Sequence, residues 1–366
     1  MSITIESTPR ADGFRMPGEY EPQEQVWTGW PIRGDVWPGF ARPAQKTMAQ
    51  VIEAIAEFEP ITVLCSESHY DYCRKELPQL ENIRVVEMSY NDAWLRDCGT
   101  TFVTDGERVR GVDWGFNAWG GLVDGFYFPW DLDDKVARKM LEVERLDRYK
   151  APFILEGGSI HCDGEGTVMT TVECLLQHNS NPELGQDAYT ELLCDYLGAE
   201  KVLWLPKGIA YDSVWGHVDN MACFVRPGVV VMDWCDDPDD EQYAVSREVY
   251  DFLSSQTDAR GRKLEIHKIH QPDPLHVTQE EIDAWVYTDA TTSYEAGDRI
   301  AASYINFLIV NGGIICPSFD DEAHDVAAKE KLEELFPGRK VVQIPCRQLV
   351  LGGGCIQCMT QQQPAV

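Results

Sequence analysis

The feature that most restricts the fold is a unit recurring along the chain: a Gly- or Asp-rich motif, then two β-rich runs joined by a turn dipeptide. Copies span residues 96–114, turning at Asp105-Gly106, and 156–171, turning near Asp163-Gly164. Two more span 216–234, turning at Pro227-Gly228, and 303–319, turning at Asn311-Gly312. Each combines β-branched and aromatic flanks with residues suited to a tight reversal, which is the signature of a hairpin. Between them, Met48, Val51, Ile52, Ile55 and Phe58 follow helical spacing and predict an amphipathic helix beginning just after Pro43. Apolar runs at 61–65 and 83–88 predict strands, and helices over 182–197 and 240–254 precede strands over 202–205 and 264–269. The stretches 352–364 and 24–31 supply one lone strand at each chain end, and pairing them makes a fifth hairpin. Joining first and last strands in one unit leaves no open edge. The expected fold is therefore α/β: five quasi-equivalent ββαβ units around an axis, a five-bladed pseudo-symmetric propeller closed by its terminal strands. Residues 1–366 are expected to form a single domain, with 236–241 and 255–263 as loops.

Charge narrows the partners. Against 31 Lys and Arg stand 61 Asp and Glu, a formal net charge of −30. Such a surface repels phosphate backbones and anionic membranes, so neither nucleic acid nor membrane is an expected partner. It attracts small cations. The N-terminus has no basic segment followed by an apolar one, and no stretch approaches the roughly 18 uninterrupted apolar residues of a span. A cytoplasmic location is expected, with the 12 cysteines as reduced thiols.

If the motif strand of each unit lines the axis, Asp97, Glu156, Asp219 and Cys358 converge there, together with His217. Several buried anions need a cation to neutralise them, and a planar guanidinium accepts bidentate pairing from carboxylates. Blander readings stand beside this one. His217 and Asp219 on one strand face the same side and resemble a metal pair, with Glu156 as a third ligand. Asp97 following Arg96 reads as a surface salt pair. Trp94 and Trp119 are packing residues or a wall over a cationic ligand. Cys355 and Cys358 spell C-x-x-C, although the three glutamines and proline that follow do not suit a redox helix. From the residues alone, an enzyme, a non-catalytic binding module and a C-x-x-C redox protein remain open.

The motifs Tyr-Glu-Pro-Gln-Glu-Gln from Tyr20, Asn-Asp-Ala-Trp-Leu-Arg-Asp from Asn91, Glu-Gly-Gly-Ser from Glu156, Gly-His-Val-Asp-Asn from Gly216 and Gly-Gly-Gly-Cys-Ile-Gln-Cys from Gly352 occur in order from end to end. In that ordered set the chain resembles the agmatine deiminases of the guanidino-group-modifying, or pentein, superfamily. The resemblance implies a five-bladed α/β propeller and hydrolysis of agmatine to N-carbamoylputrescine and ammonia. It implies Cys358 as nucleophile, His217 as general acid and base, Glu156 as the acid orienting the imidazole, and Asp97 and Asp219 as the guanidinium clamp. It further implies no metal or organic cofactor and a homodimer or larger homo-oligomer. Free arginine is disfavoured, because the motifs carry no surplus Arg or Lys for an α-carboxylate. A peptidyl-arginine substrate is disfavoured too, for want of a secretory or calcium-binding context. Cys355, Gln357, Thr100, Gly29 and the Ser213-Val214-Trp215 segment depart from the family's usual residues. Gly29, Trp215, Cys355 and Gln357 are therefore expected to reshape the tail pocket, with another alkylguanidine as the alternative substrate, and Trp215 joins Trp94 and Trp119 as a candidate substrate contact.

Overall fold

A computed structural model describes residues 2–176, 180–291 and 294–366. The chain is a mixed α/β protein in which five sheets repeat one order: an antiparallel pair, then a parallel strand on the second member. Thr101–Thr104 pairs antiparallel with Val109–Gly115, and Arg148–Ile154 adds parallel to the latter. The same order recurs in His161–Cys162, Thr167–Thr171 and Lys201–Leu205, and in Ala222–Arg226, Val229–Trp234 and Glu265–His270. It recurs again in Leu308–Val310, Gly313–Ser318 and Lys340–Pro345. All four expected turn glycines take a left-handed φ, which is why these dipeptides reverse the chain.

The fifth sheet joins the two ends of the chain. Thr360–Pro364 runs antiparallel to Gln23–Gly29, which continues parallel into Ile61–Cys65 and Ile83–Glu87. Thr360–Pro364 lies at the edge of this sheet, yet its side chains on both faces are buried, with Gln25 Nε2 and Trp27 Nε1 both donating to Gln363 at 2.9 Å.

Helices connect the second and third strands. Arg42–Ala56, with a proline in its first turn, buries Met48, Val51, Ile52 and Ile55. It ends before Phe58, whose half-buried ring packs on the core from outside the helix. Gln186–Leu197 and Glu241–Ser255 fall where the spacing predicts them. Two further connecting helices complete the set: Val136–Glu144, only nine residues long, buries Val136, Ala137, Met140 and Leu141, and Glu322–Leu335 carries a weak periodic signal. Among the described residues no helix is long and apolar enough to cross a membrane.

One expectation is corrected. The residues proposed to line the axis do not lie on strands. Asp97 sits in the single helical turn Leu95–Cys98, Glu156 caps the 3₁₀ turn Gly157–Ser159, and Asp219 lies in the turn Val218–Met221, which His217 precedes. Each turn immediately precedes the first strand of its sheet.

Candidate active site

These short turns bring the five candidate residues together. Cys358 Sγ lies 3.4 Å from Asp219 Oδ2. His217 is fully enclosed, its Nδ1 3.9 Å from Asp97 Oδ1 and its Nε2 3.9 Å from Glu156 Oε2. The turn holding Glu156 is clamped onto its neighbour by the Gly158 N–H, which donates to Asp97 Oδ1 at 2.8 Å. Gly158 has no room for a side chain: a Cβ there would stand 2.5 Å from His217 Nδ1 and 2.7 Å from Asp219 Oδ2. The Glu-Gly-Gly-Ser motif is thus a requirement of close approach as much as of chemistry.

Electrostatically the site is dominated by buried carboxylates, with Arg96 behind them giving only partial relief. Burial raises the Asp97 carboxyl to about 7, against partial relief from Gly158 and Trp119. Burial and then the Asp97 charge raise Glu156 to about 8. Burial, followed by Asp97 and Asp212, pushes Asp219 well up, and burial with Asp219 and Asp97 does the same to the Cys358 thiol. Carboxylates and a thiol held this way recover their charge when a cation enters among them.

A cavity reaches the sulfur, lined by Trp94, Asp97, Trp119, Phe126, Val214, His217, Gly352, Gly353, Gly354 and Cys358. Both expected tryptophan walls are there. Trp119 Nε1 donates to Asp97 Oδ2 at 3.2 Å, and Trp94, stacked on Trp37, donates to Asp92 at 2.8 Å. A larger surface cleft runs along Tyr211, Asp240, His276 and Arg299, but none of the five residues borders it.

The departures from the family's usual residues behave differently from expectation. Trp215 is 42% exposed and does not line the cavity; its neighbour Val214 does. Gly29 faces the backbone of Ala93, where a Cβ would come within 2.8 Å, so its smallness serves packing instead of widening the cavity. Gln357 points beneath the site, donating to both oxygens of Glu19 at 3.1 Å. Cys355 directs its thiol to Cys346 while its backbone N–H meets the Cys358 sulfur, and all 12 cysteines are free. The C-x-x-C pair thus holds no disulfide in this structure. Thr100 is buried and donates to Val112 O at 3.0 Å.

The metal reading also changes. Glu156, Cys174 and His217 each bring one ligand atom within 4.8 Å of the others, and Asp219 is not in that set. Cys174 Sγ lies 3.9 Å from Glu156 Oε2. Arg96, read as a surface partner of Asp97, is instead buried and paired with Glu19 at 3.1 Å. Its backbone N–H donates to Cys358 O at 3.2 Å and its Nε to Gln357 O at 3.2 Å.

Three residues escaped the sequence reading. Asp212 accepts from the N–H groups of Val214, Gly216 and His217 and so fixes the loop that delivers the imidazole. Glu19 anchors Arg96 and Gln357. Asn306 touches Cys358 Sγ at 3.1 Å. For Asn306 a signal existed: it precedes the first strand of the fourth hairpin, as Asp97, Glu156, Asp219 and Cys358 precede theirs.

The chain is similar to known proteins along nearly its whole length. Residues 15–364 match the model of the Porphyromonas-type peptidyl-arginine deiminase family. The chain is 54% identical over 361 residues to the agmatine deiminase of Pseudomonas aeruginosa (strain LESB58), covering 98% of each. It is 52% identical over 364 residues to the agmatine deiminase of Pseudomonas putida (strain F1), covering 99% of this chain and 98% of the other. The solved structure of the agmatine deiminase of Enterococcus faecalis superposes with a TM-score of 0.96 at 46% identity, covering 100% of this chain and 99% of that one.

Proposed function

The chain belongs to the Porphyromonas-type peptidyl-arginine deiminase family, and from that premise we propose that it hydrolyses agmatine to N-carbamoylputrescine and ammonia. The observation that carries the reading is a buried thiol beside a carboxylate, with an imidazole held between two more, at the end of a tryptophan-walled cavity. A guanidinium supplies the charge that these groups lack, and Asp97 and Asp219 are placed to pair with it. Its arrival favours the Cys358 thiolate.

Cys358 Sγ then attacks the guanidinium carbon, giving a tetrahedral adduct. His217, charged and oriented by Glu156, donates a proton to the departing nitrogen, and ammonia leaves. The amidino-thioether that remains is attacked by water, whose proton His217 takes; collapse returns the thiol and releases the ureido product. The reading uses no metal or cofactor.

Although the family is named for peptidyl-arginine, burial of the thiol and imidazole favours a small free guanidine over a protein loop. The four substitutions that raised another alkylguanidine as the substrate lie off the cavity lining, which favours agmatine. Incubation with agmatine, arginine and a panel of alkylguanidines, measuring ammonia and ureido product, tests this. Agmatine is expected to be turned over best, and Cys358→Ala to abolish turnover; undiminished activity in that variant would overturn the mechanism.

The same reading takes the five sheets as blades of a closed propeller within a single domain spanning residues 1–366. It places the protein in the cytoplasm as a homodimer or larger homo-oligomer, which sedimentation of the purified chain checks.

A further inference from the structure

Cys358 stands in surroundings hostile to its own ionisation. The nearest charged groups are carboxylates, and burial together with Asp219 and Asp97 favours the neutral thiol. The basic side chain at the back of the site, Arg96, is engaged by Glu19 and by the carbonyl of Gln357. The reaction proposed above proceeds through a thiolate, and two uncharged donors meet the sulfur before the substrate arrives: the backbone N–H of Cys355 and the side-chain amide of Asn306.

Asn306 is fully buried and every hydrogen-bonding position of its amide is used. Its Oδ1 accepts from the Gln357 N–H at 2.9 Å and the Cys358 N–H at 3.4 Å. Its Nδ2 donates to Asn220 Oδ1 at 3.0 Å and to Cys358 Sγ at 3.1 Å. Both backbone N–H groups meet the amide oxygen, the Gln357 N–H also reaching the Asn306 backbone carbonyl at 3.4 Å, and this orientation turns the NH₂ toward the sulfur. The thiol proton has its own acceptor in Asp219 Oδ2 at 3.4 Å, which leaves a sulfur lone pair for Asn306.

We propose that Asn306 is a catalytic residue: its amide N–H stabilises the Cys358 thiolate, while its carbonyl oxygen holds the backbone that presents the sulfur. This rests on Cys358 being the nucleophile and adds a group to that site. Position in the fold supports it, because every one of the five sheets then contributes a polar side chain from just before its first strand. The chain supplies Asp97, Glu156, Asp219, Asn306 and Cys358 in that order.

The test separates donation to sulfur from support of the loop. Asn306→Asp keeps an oxygen for the two backbone N–H groups and loses the donor, whereas Asn306→Ala loses both. In each variant and in the wild type, alkylation of Cys358 by iodoacetamide is followed by peptide mass spectrometry from neutral to alkaline pH without substrate. A hydrogen bond to a charged group predicts that the reactivity midpoint rises by about one pH unit or more, a drop of about tenfold in alkylation at neutral pH. With agmatine, kcat should fall at least as far and KM much less. A wild-type alkylation profile in a folded Asn306→Asp protein would overturn the proposal, as would full activity in either variant. Because alkylation is read without turnover, a wild-type protein that ignores agmatine would sink the substrate reading and leave this test intact.

Discussion

Glu19 illustrates how a residue remote from the reaction carries the site. Burial works to protonate it, but Arg96 and then His161 outweigh burial and hold its carboxyl down to about 2. The pair is buried on both sides, and Arg96 in turn grips the backbone at Gln357 and Cys358. Removing one partner leaves the other charge uncompensated, which costs about 3–5 kcal/mol in buried pairs. Glu19→Ala should therefore lower stability by about that much in denaturant unfolding, against a smaller loss for Gln357→Ala. Since the folded carboxyl is depressed, the stabilisation is present above the ordinary carboxylate range and is lost as pH falls toward 2. A Glu19→Ala protein as stable as the wild type at neutral pH would mean that Arg96 finds another partner. The same network draws Gln357 out of the cavity that its sequence position suggests: its neighbour is the proposed nucleophile, but its side chain turns to Glu19.

Between elements, the decisive contacts are made by single turns packed against each other. Gly158 N–H bonds to Asp97, and the absent side chain leaves space for His217 and Asp219. Gly158→Ala should keep the sheets intact yet displace those two side chains by about 1 Å, and positional errors of this size cost catalysis heavily. The expected result is a loss of about 100-fold or more in kcat/KM with an unchanged circular-dichroism spectrum; near-wild-type turnover would show that the turns are not in register-critical contact. The hairpins and their terminal closure were legible in the sequence because alternation and turn dipeptides are local signals. The residues Asp97, Glu156, Asp219 and Cys358 were legible as positions in a repeat. Their placement on helical turns was not, because a single turn is too short to show a period, and the local Gly and Asp content suits strand, turn and cap alike. Asp212 and Glu19 act through contacts with residues distant in space or through backbone N–H groups, which leave no periodic trace.

At the scale of the whole molecule, a net charge of −30 draws a cationic ligand by long-range attraction. That attraction affects encounter and fades with salt, whereas the site itself adds a pH dependence of opposite character to most carboxylates. Asp97 and Glu156 are raised to about 7 and about 8, so the folded chain retains protons that an unfolded chain releases in the ordinary carboxylate range. Each group's contribution to stability thus falls as pH rises from that range through its folded value. A guanidinium bound among the carboxylates reverses the cause, favouring their charged forms and displacing their protons. The thermal stabilisation produced by agmatine in the Cys358→Ala protein, where no turnover consumes it, should therefore grow as pH rises toward about 8. Raising the ionic strength should leave most of that growth in place, since buried charges are poorly screened. Differential scanning fluorimetry at matched agmatine concentrations across this range checks both statements. A stabilisation independent of pH would mean that the carboxylates are already ionised without the ligand, and that the site is neutralised from within.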